Sequence, residues 1–224
     1  MGETMGADGF LATLIDSLAA RVIDFRDQIT LETKFQLHQW LLACELEMVP
    51  GGSLSNTVAL VKQRMGHDLL HAFSGQATRE SQLRKEVAHA AMLSSKAGSE
   101  VQVQEEYRDA RSGYSIDVLL RRRTAAGSTE WAVEVDGRTH FLADGRTPRG
   151  STLLKRKQLA QLGYTVLPVP FWEWVALRGE EARRLYLEDK LRGTRQQQLQ
   201  QQIKELQRKQ RLEQQEQQEQ FQQQ

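Results

Sequence analysis

The sequence predicts an α/β domain on a mixed sheet, preceded by an all-α helical segment and followed by a low-complexity tail. Three observations carry that reading. As far as Gly98 the apolar residues recur at three- and four-residue steps, the period of amphipathic helices. Beyond it they alternate, as strands require, with one helical stretch set between two strand-like runs. From Arg195 onward Gln dominates, and apolar residues are too sparse to build a core.

A first helix is expected over Phe10 to Phe25, through Leu11, Leu14, Leu18 and Val22, and a second over Leu31 to Met48, through Phe35, Leu41 and Leu42. Pro50-Gly51-Gly52 stops it. Ser55 or Asn56 opens a third carrying Val58, Val61, Met65 and Leu69, and Ser81 a fourth carrying Leu83, Val87 and Ala90. Strands follow at Val101 and Val103, at Tyr114 to Leu120 and at Trp131 to Val135. Ser151-Thr152 caps a helix that Gly163 ends, Tyr164 to Val169 is the next strand, and Glu180 to Leu191 is a short closing helix. The chain thus divides into a helical segment, 1–98, an α/β unit, 99–192, and a Gln-rich tail, 193–224.

Lys and Arg number 30 against 29 Asp and Glu, so any affinity for nucleic acid has to come from a local patch. Arg121, Arg122, Arg123, Arg146, Arg149, Arg156 and Lys157 form either such a patch or a solvated face. The single Cys44 rules out an internal disulfide framework and a multi-cysteine zinc site. No apolar run approaches the roughly 20 residues of a membrane-spanning helix, so no membrane partner is expected. Met1 to Asp8 lacks an early Arg cluster and reads as neither signal nor transit peptide.

The stretch Trp131 to Phe141 concentrates the chemistry. Glu134 and Asp136 stand two apart on a buried strand and so share a face, where ionised carboxylates need a cation, a donor or a metal. Gly137 is expected to turn the backbone sharply, with His140 on the loop beyond it as a metal ligand, a phosphate contact or a hydrogen-bonded loop residue. On the strand before, Ile116 and Val118 are expected on one face and Asp117 on the other, where a hairpin brings it to Glu134 and Asp136. Three carboxylates in one place are what Mg²⁺ asks for. Lys155 shares a helix side with Leu159 and Leu162 and points to the sheet, with Arg156 and Lys157 toward solvent. It either neutralises the acids or orients a water.

Tyr114-Ser-Ile-Asp-Val118, Val133-Glu-Val-Asp-Gly137, His140-Phe141, Leu153-Leu-Lys-Arg156, Leu162-Gly163 and Pro168-Val-Pro-Phe-Trp-Glu-Trp174 together resemble the RAP domain, a family of organellar RNA-metabolism proteins in algae, plants, apicomplexans and animals. The resemblance runs from Gly113 to about Leu191, and Gln36 to Leu42 resembles the helical segment that often precedes the domain. It implies a restriction-endonuclease-like fold of the PD-(D/E)-X-K class, with Asp117 at the first acidic position and Glu134 at the second. Asp136 stands where that pattern has its lysine, and Lys155 is the residue able to replace it. If the protein is a nuclease, Asp117, Glu134, Asp136 and Lys155 are its catalytic residues, the three carboxylates hold the metal, and Mg²⁺ is the one cofactor implied.

What the resemblance implies foremost is an RNA-binding protein of mitochondria or plastids, acting in RNA processing, stability or translation. A metal-dependent endonuclease and a structural subunit of an organellar ribosome are the alternatives. Candidate RNA-binding residues are Arg121, Arg122, Arg123, His140, Arg156, Lys157 and Trp172. Phe171, Trp172 and Trp174 follow Pro170 on what reads as a partly polar loop; at least one belongs to the core, and an exposed one stacks an unpaired base. Protein partners are expected through the helical segment or the Gln-rich tail.

Overall fold

In the computed structural model, residues 17, 20–47, 56–77, 81–95, 101–124 and 127–193 are described. The order of elements is α1 (Leu31–Glu47), α2 (Asn56–Ser74), α3 (Gln82–Ser95), β1 (Val101–Arg108), β2 (Ser115–Thr124), β3 (Gly127–Asp136), α4 (Gly150–Gln161), β4 (Thr165–Pro170), α5 (Phe171–Ala176) and a last helix, α6, over 179–193. Of the first expected helix only 20–25 falls in a continuous described stretch, helical over 20–24; most of the Gln-rich tail lies outside the described residues. No described helix is long and apolar enough to cross a membrane.

The four strands form one mixed sheet in the order β1-β2-β3-β4. The β1–β2 and β2–β3 pairs are antiparallel, and β3–β4, joined through α4, is parallel. Alternation along β3 sorts the core into two halves, because neighbouring side chains of a strand point to opposite faces. Trp131, Val133 and Val135 pack with Val87 of α3, Trp174 of α5 and Leu187 of α6. Ala132 packs with Leu42 of α1, Phe73 of α2 and Leu159 of α4 on the other side. The change of period near residue 98 therefore marks a change of secondary structure and not of core, since the helical segment supplies side chains to both faces of the sheet.

Three local expectations are corrected. Phe171 begins a short helix instead of a loop, with Pro170 as its N-cap residue; proline's fixed φ suits a helix start. Ser151-Thr152 lies inside the first turn of α4, whose N-cap residue is Arg149. Gly137 has φ −69°, open to any residue, and a Cβ there would meet nothing. A glycine the fold does require is Gly113: its φ is +71°, and a Cβ would come within 2.6 Å of Ser74 Oγ and 3.2 Å of Phe73 Cδ1.

Candidate functional site

The last residues of β3 carry Glu134 and Asp136 onto the face that meets α4, and both are buried. α4 answers with two consecutive cations. Lys155 Nζ donates to Glu134 Oε2, and Arg156 Nη2 donates to Asp136 Oδ2. Lys155 was expected to face the sheet; Arg156 was expected in solvent and instead has a side chain only 19% exposed. A one-residue step turns a helix by only 100°, so a long guanidinium beside Lys155 still reaches the sheet. Lys157 is exposed and pairs with Glu47 of α1, 2.7 Å away. His140, on the loop after β3, places Nδ1 3.1 Å from Asp136 Oδ1.

Burial pushes the Glu134 carboxyl up to about 7; the Lys155 ammonium pulls it back, while the charges of Asp117 and Asp136 push it further up. The hydrogen bond that His140 donates to Asp136 raises the imidazole above its ordinary value against the opposing effect of burial. The site is therefore an array of compensated charges, in which removing one partner strands the other in a poorly solvated place.

Asp117 does not share this face in the expected way. Ile116 packs with Tyr114, Leu119 and Ala132, whereas Val118 packs with Val133 and Val135, so the two flanking residues lie on opposite sides of the sheet. The alternation breaks opposite Glu106, which the β1–β2 register sets across from Asp117 and which is the one described non-glycine residue with positive φ, at 51°. Asp117 Oδ2 accepts the Val135 N–H at 2.8 Å, just past Val118↔Val133, where β2–β3 pairing stops. Its carboxylate thus replaces a ladder carbonyl, with Arg84 of α3 4.0 Å from Oδ1.

Mg²⁺ needs several free oxygen ligands in an octahedral shell. Here Lys155, Arg156 and His140 engage the carboxylates of Glu134 and Asp136, and Asp117 is spent on the sheet. Among the described residues no group of three or more His, Cys, Asp or Glu is placed to hold a metal ion. The three carboxylates do not fit a Mg²⁺ centre in this arrangement, and no metal-dependent step is derived from them.

The basic residues separate into two regions. Arg121, Arg122 and Arg123 pair with Glu130, Thr129 and Ser128 at the start of β3. That is six residues from Asp136, about 20 Å along a strand. Arg121 is held 2.6 Å from Glu130 and lies over the Tyr107 ring, Arg122 lies over Trp131, and Arg123 is exposed. At the other end, beyond β3 and β4, arginines and aromatic rings interleave. Trp172 sits 4.5 Å from Phe141 and 5.3 Å from Phe171, centroid to centroid. Arg146 lies over Trp172 at 4.5 Å and Arg138 over Phe171 at 4.7 Å. Trp172 is half-buried, whereas Trp174 is fully buried and donates its Nε1–H to Glu86.

Sequence reasoning missed the polar network that fastens the helices to this end. Gln39 Nε2 donates to Tyr114 Oη, Tyr114 Oη donates to Gln158 Oε1, and Gln158 Nε2 donates to the Gln39 carbonyl, closing a ring at 3.1, 2.7 and 3.0 Å. His38 Nε2 lies 2.7 Å from the Ser112 carbonyl, which assigns the proton to that nitrogen. Burial opposes ionisation of Asp109, yet hydrogen bonds from Ser112 and Tyr164 hold its carboxyl below the usual range. A local signal existed only for Gln158, three residues after Lys155 and so near it on the helix surface. The other partners are far apart in sequence.

Residues 133–190, within the α/β unit, match the model of the RAP domain. The match extends from the strand bearing Glu134 and Asp136 to α6. Over 75 residues the chain is 33% identical to a "RAP domain-containing protein, chloroplastic" of Oryza sativa subsp. japonica, a stretch covering 34% of this chain and 11% of that protein. Over 54 residues it is 43% identical to "Fas-activated serine/threonine kinase" of Mus musculus, covering 24% of this chain and 11% of that protein. The chain therefore spans only about a tenth of the length of these relatives.

Proposed function

We propose that the chain binds RNA through its RAP domain, in the service of organellar RNA processing, stability or translation. The observation that supports it best is the surface past β3 and β4, where Arg138 and Arg146 lie over the half-buried rings of Phe171 and Trp172, backed by the buried Phe141. Guanidinium groups offer charge-assisted bonds to phosphates and planar faces to bases, and exposed ring faces stack unpaired bases of any sequence. His140, Arg149 and Lys157 extend the surface toward α4. The Arg121 to Arg123 run, partly spent on Glu130 and on rings, is a secondary contact in this reading. The chloroplastic designation of the rice relative supports an organellar setting. A cleavage step has no such support, because cations already engage Glu134 and Asp136.

Trp172→Ala is the direct test. It should weaken single-stranded RNA binding by about 1–3 kcal/mol, as measured by fluorescence anisotropy, while leaving a cooperative unfolding transition. Unchanged affinity in a folded variant would remove the aromatic surface from RNA binding.

A further inference from the structure

A cleft of 480 Å³ lies where the helical segment meets the RAP domain. Its two walls differ. On one side Phe35 of α1 and Phe73 of α2 stand edge to face at 6.0 Å, with Tyr114 set against Phe73 at 5.1 Å. On the other are Arg149, His140 and the first turn of α4. This helix of 12 residues has no side-chain cap. Ser151 and Thr152 line the cleft, and first-turn N–H groups have no partner within a helix, so this wall offers bare donors at the positive end of a helix dipole. Arg149 commits Nε to the Phe141 carbonyl and is otherwise exposed; His140 commits Nδ1 to Asp136.

The floor supplies a second, independent feature. Glu134 borders the cleft at 4% exposure, gives Oε2 to Lys155, and leaves Oε1 buried without a hydrogen-bond partner. An unsatisfied buried oxygen costs free energy that an incoming donor recovers. Arg108, Arg149, Lys155 and Arg156 outnumber Glu134 and Asp136 around the cleft, so an anion is still welcome at its rim.

An anion seat, an aromatic wall and an acceptor at the floor correspond to the three parts of one nucleotide, and the volume falls within the range of small-ligand pockets. A terminal phosphate carries a second negative charge that an internal phosphodiester lacks, so the uncapped start of α4 beside the exposed Arg149 favours a strand end over a strand running through. The geometry points to this cleft as the seat of a terminal nucleotide of single-stranded RNA. Its terminal phosphate, 5′ or 3′, rests on Arg149 and the first turn of α4, its base lies along Phe35 and Phe73, and a ring amine or ribose hydroxyl is directed to Glu134 Oε1. This rests on the RNA-binding reading and adds that the protein reads strand ends.

The test is anisotropy with the full chain and one short RNA sequence prepared four ways: with a 5′ phosphate, with a 3′ phosphate, with hydroxyls at both ends, and as a circle. One phosphorylated form should bind about tenfold more tightly than the circle, the size of one charge-assisted hydrogen bond. Ser151→Asp should abolish that preference, because its carboxylate repels phosphate, while holding or raising the unfolding temperature, because the same carboxylate favours a helix N-terminus. Arg149→Ala should reduce the preference severalfold. Equal binding of all four forms would overturn the end-reading and leave RNA binding intact; no binding of any form would overturn both. A tenfold preference that survives Ser151→Asp would also overturn the proposed seat.

Discussion

The two faces of the sheet are built from the same strands, and both bury an apolar cluster, but at the end of β3 they part chemically. Toward α3, α5 and α6 the contacts are Val118, Leu120, Trp131, Val133, Val135, Leu167 and Val169, an apolar layer. Toward α1, α2 and α4 the sheet presents Ile116, Leu119 and Ala132 to Leu42, Phe73 and Leu159, and then, at the end of β3, Glu134 and Asp136, which Lys155 and Arg156 meet beside the Gln158–Gln39 contact. The first face stabilises through area removed from water along its whole length; the second does so only as far as Ala132 and beyond it spends its burial on polar groups that net out near zero. A region that costs this much to satisfy and contributes little stability is where a site is to be sought, and the cleft opens beside Glu134 and Asp136.

Trp174 and Trp172 break the comparison most sharply, because they lie two residues apart on α5 and belong to different worlds. Trp174 is fully buried against the apolar face. Trp174→Ala should cost about 3–5 kcal/mol of unfolding free energy in urea titrations. The loss for Trp172→Ala should be clearly smaller, its principal effect falling on RNA affinity as given above. Equal losses of stability would mean that both tryptophans are core and that the aromatic surface is packing.

Glu134 sharpens the comparison through pH. Its carboxyl titrates at about 7 in the folded chain against an ordinary 4.5. Between those values the folded state holds a proton that the unfolded state has released, so stability falls as pH rises through the window. At about 1.4 kcal/mol for each pH unit, the step is worth at most roughly 3–4 kcal/mol. Glu134→Gln keeps an acceptor for Lys155 and cannot ionise, so its unfolding free energy should decline less steeply from pH 4.5 to 7. Parallel curves for the two proteins would show that the carboxylate is fully compensated by Lys155 at every pH.

The apolar face was legible because its alternation is local: Trp131, Val133 and Val135 are enough to orient β3. The Glu134–Lys155 pair was legible for a similar reason, since steps of four and seven from Lys155 to Leu159 and Leu162 point the lysine to the sheet. Arg156 was misread because a helical wheel places the Cα and not the end of a long side chain. Asp117 was misread because strand alternation assumes a regular ladder, and the irregularity lies on the neighbouring strand at Glu106. The Gln39–Tyr114–Gln158 ring and the Asp109 network join residues far apart in sequence, and no local pattern encodes them. The aromatic surface was half legible: Trp172 stood out, while Arg138 became part of it only when the loop set its guanidinium over Phe171.

The two ends of β3 give the most direct test. Ultraviolet crosslinking of the full chain to single-stranded RNA, with the modified peptides mapped by mass spectrometry, distinguishes the end bearing Phe141, Phe171 and Trp172 from the end bearing Tyr107, Arg121 to Arg123 and Trp131. Crosslinks concentrated on the peptide containing Phe171 and Trp172 are the expected result. Crosslinks confined to the peptides containing Tyr107 and Trp131 would contradict the assignment and move the RNA to the opposite end of the sheet.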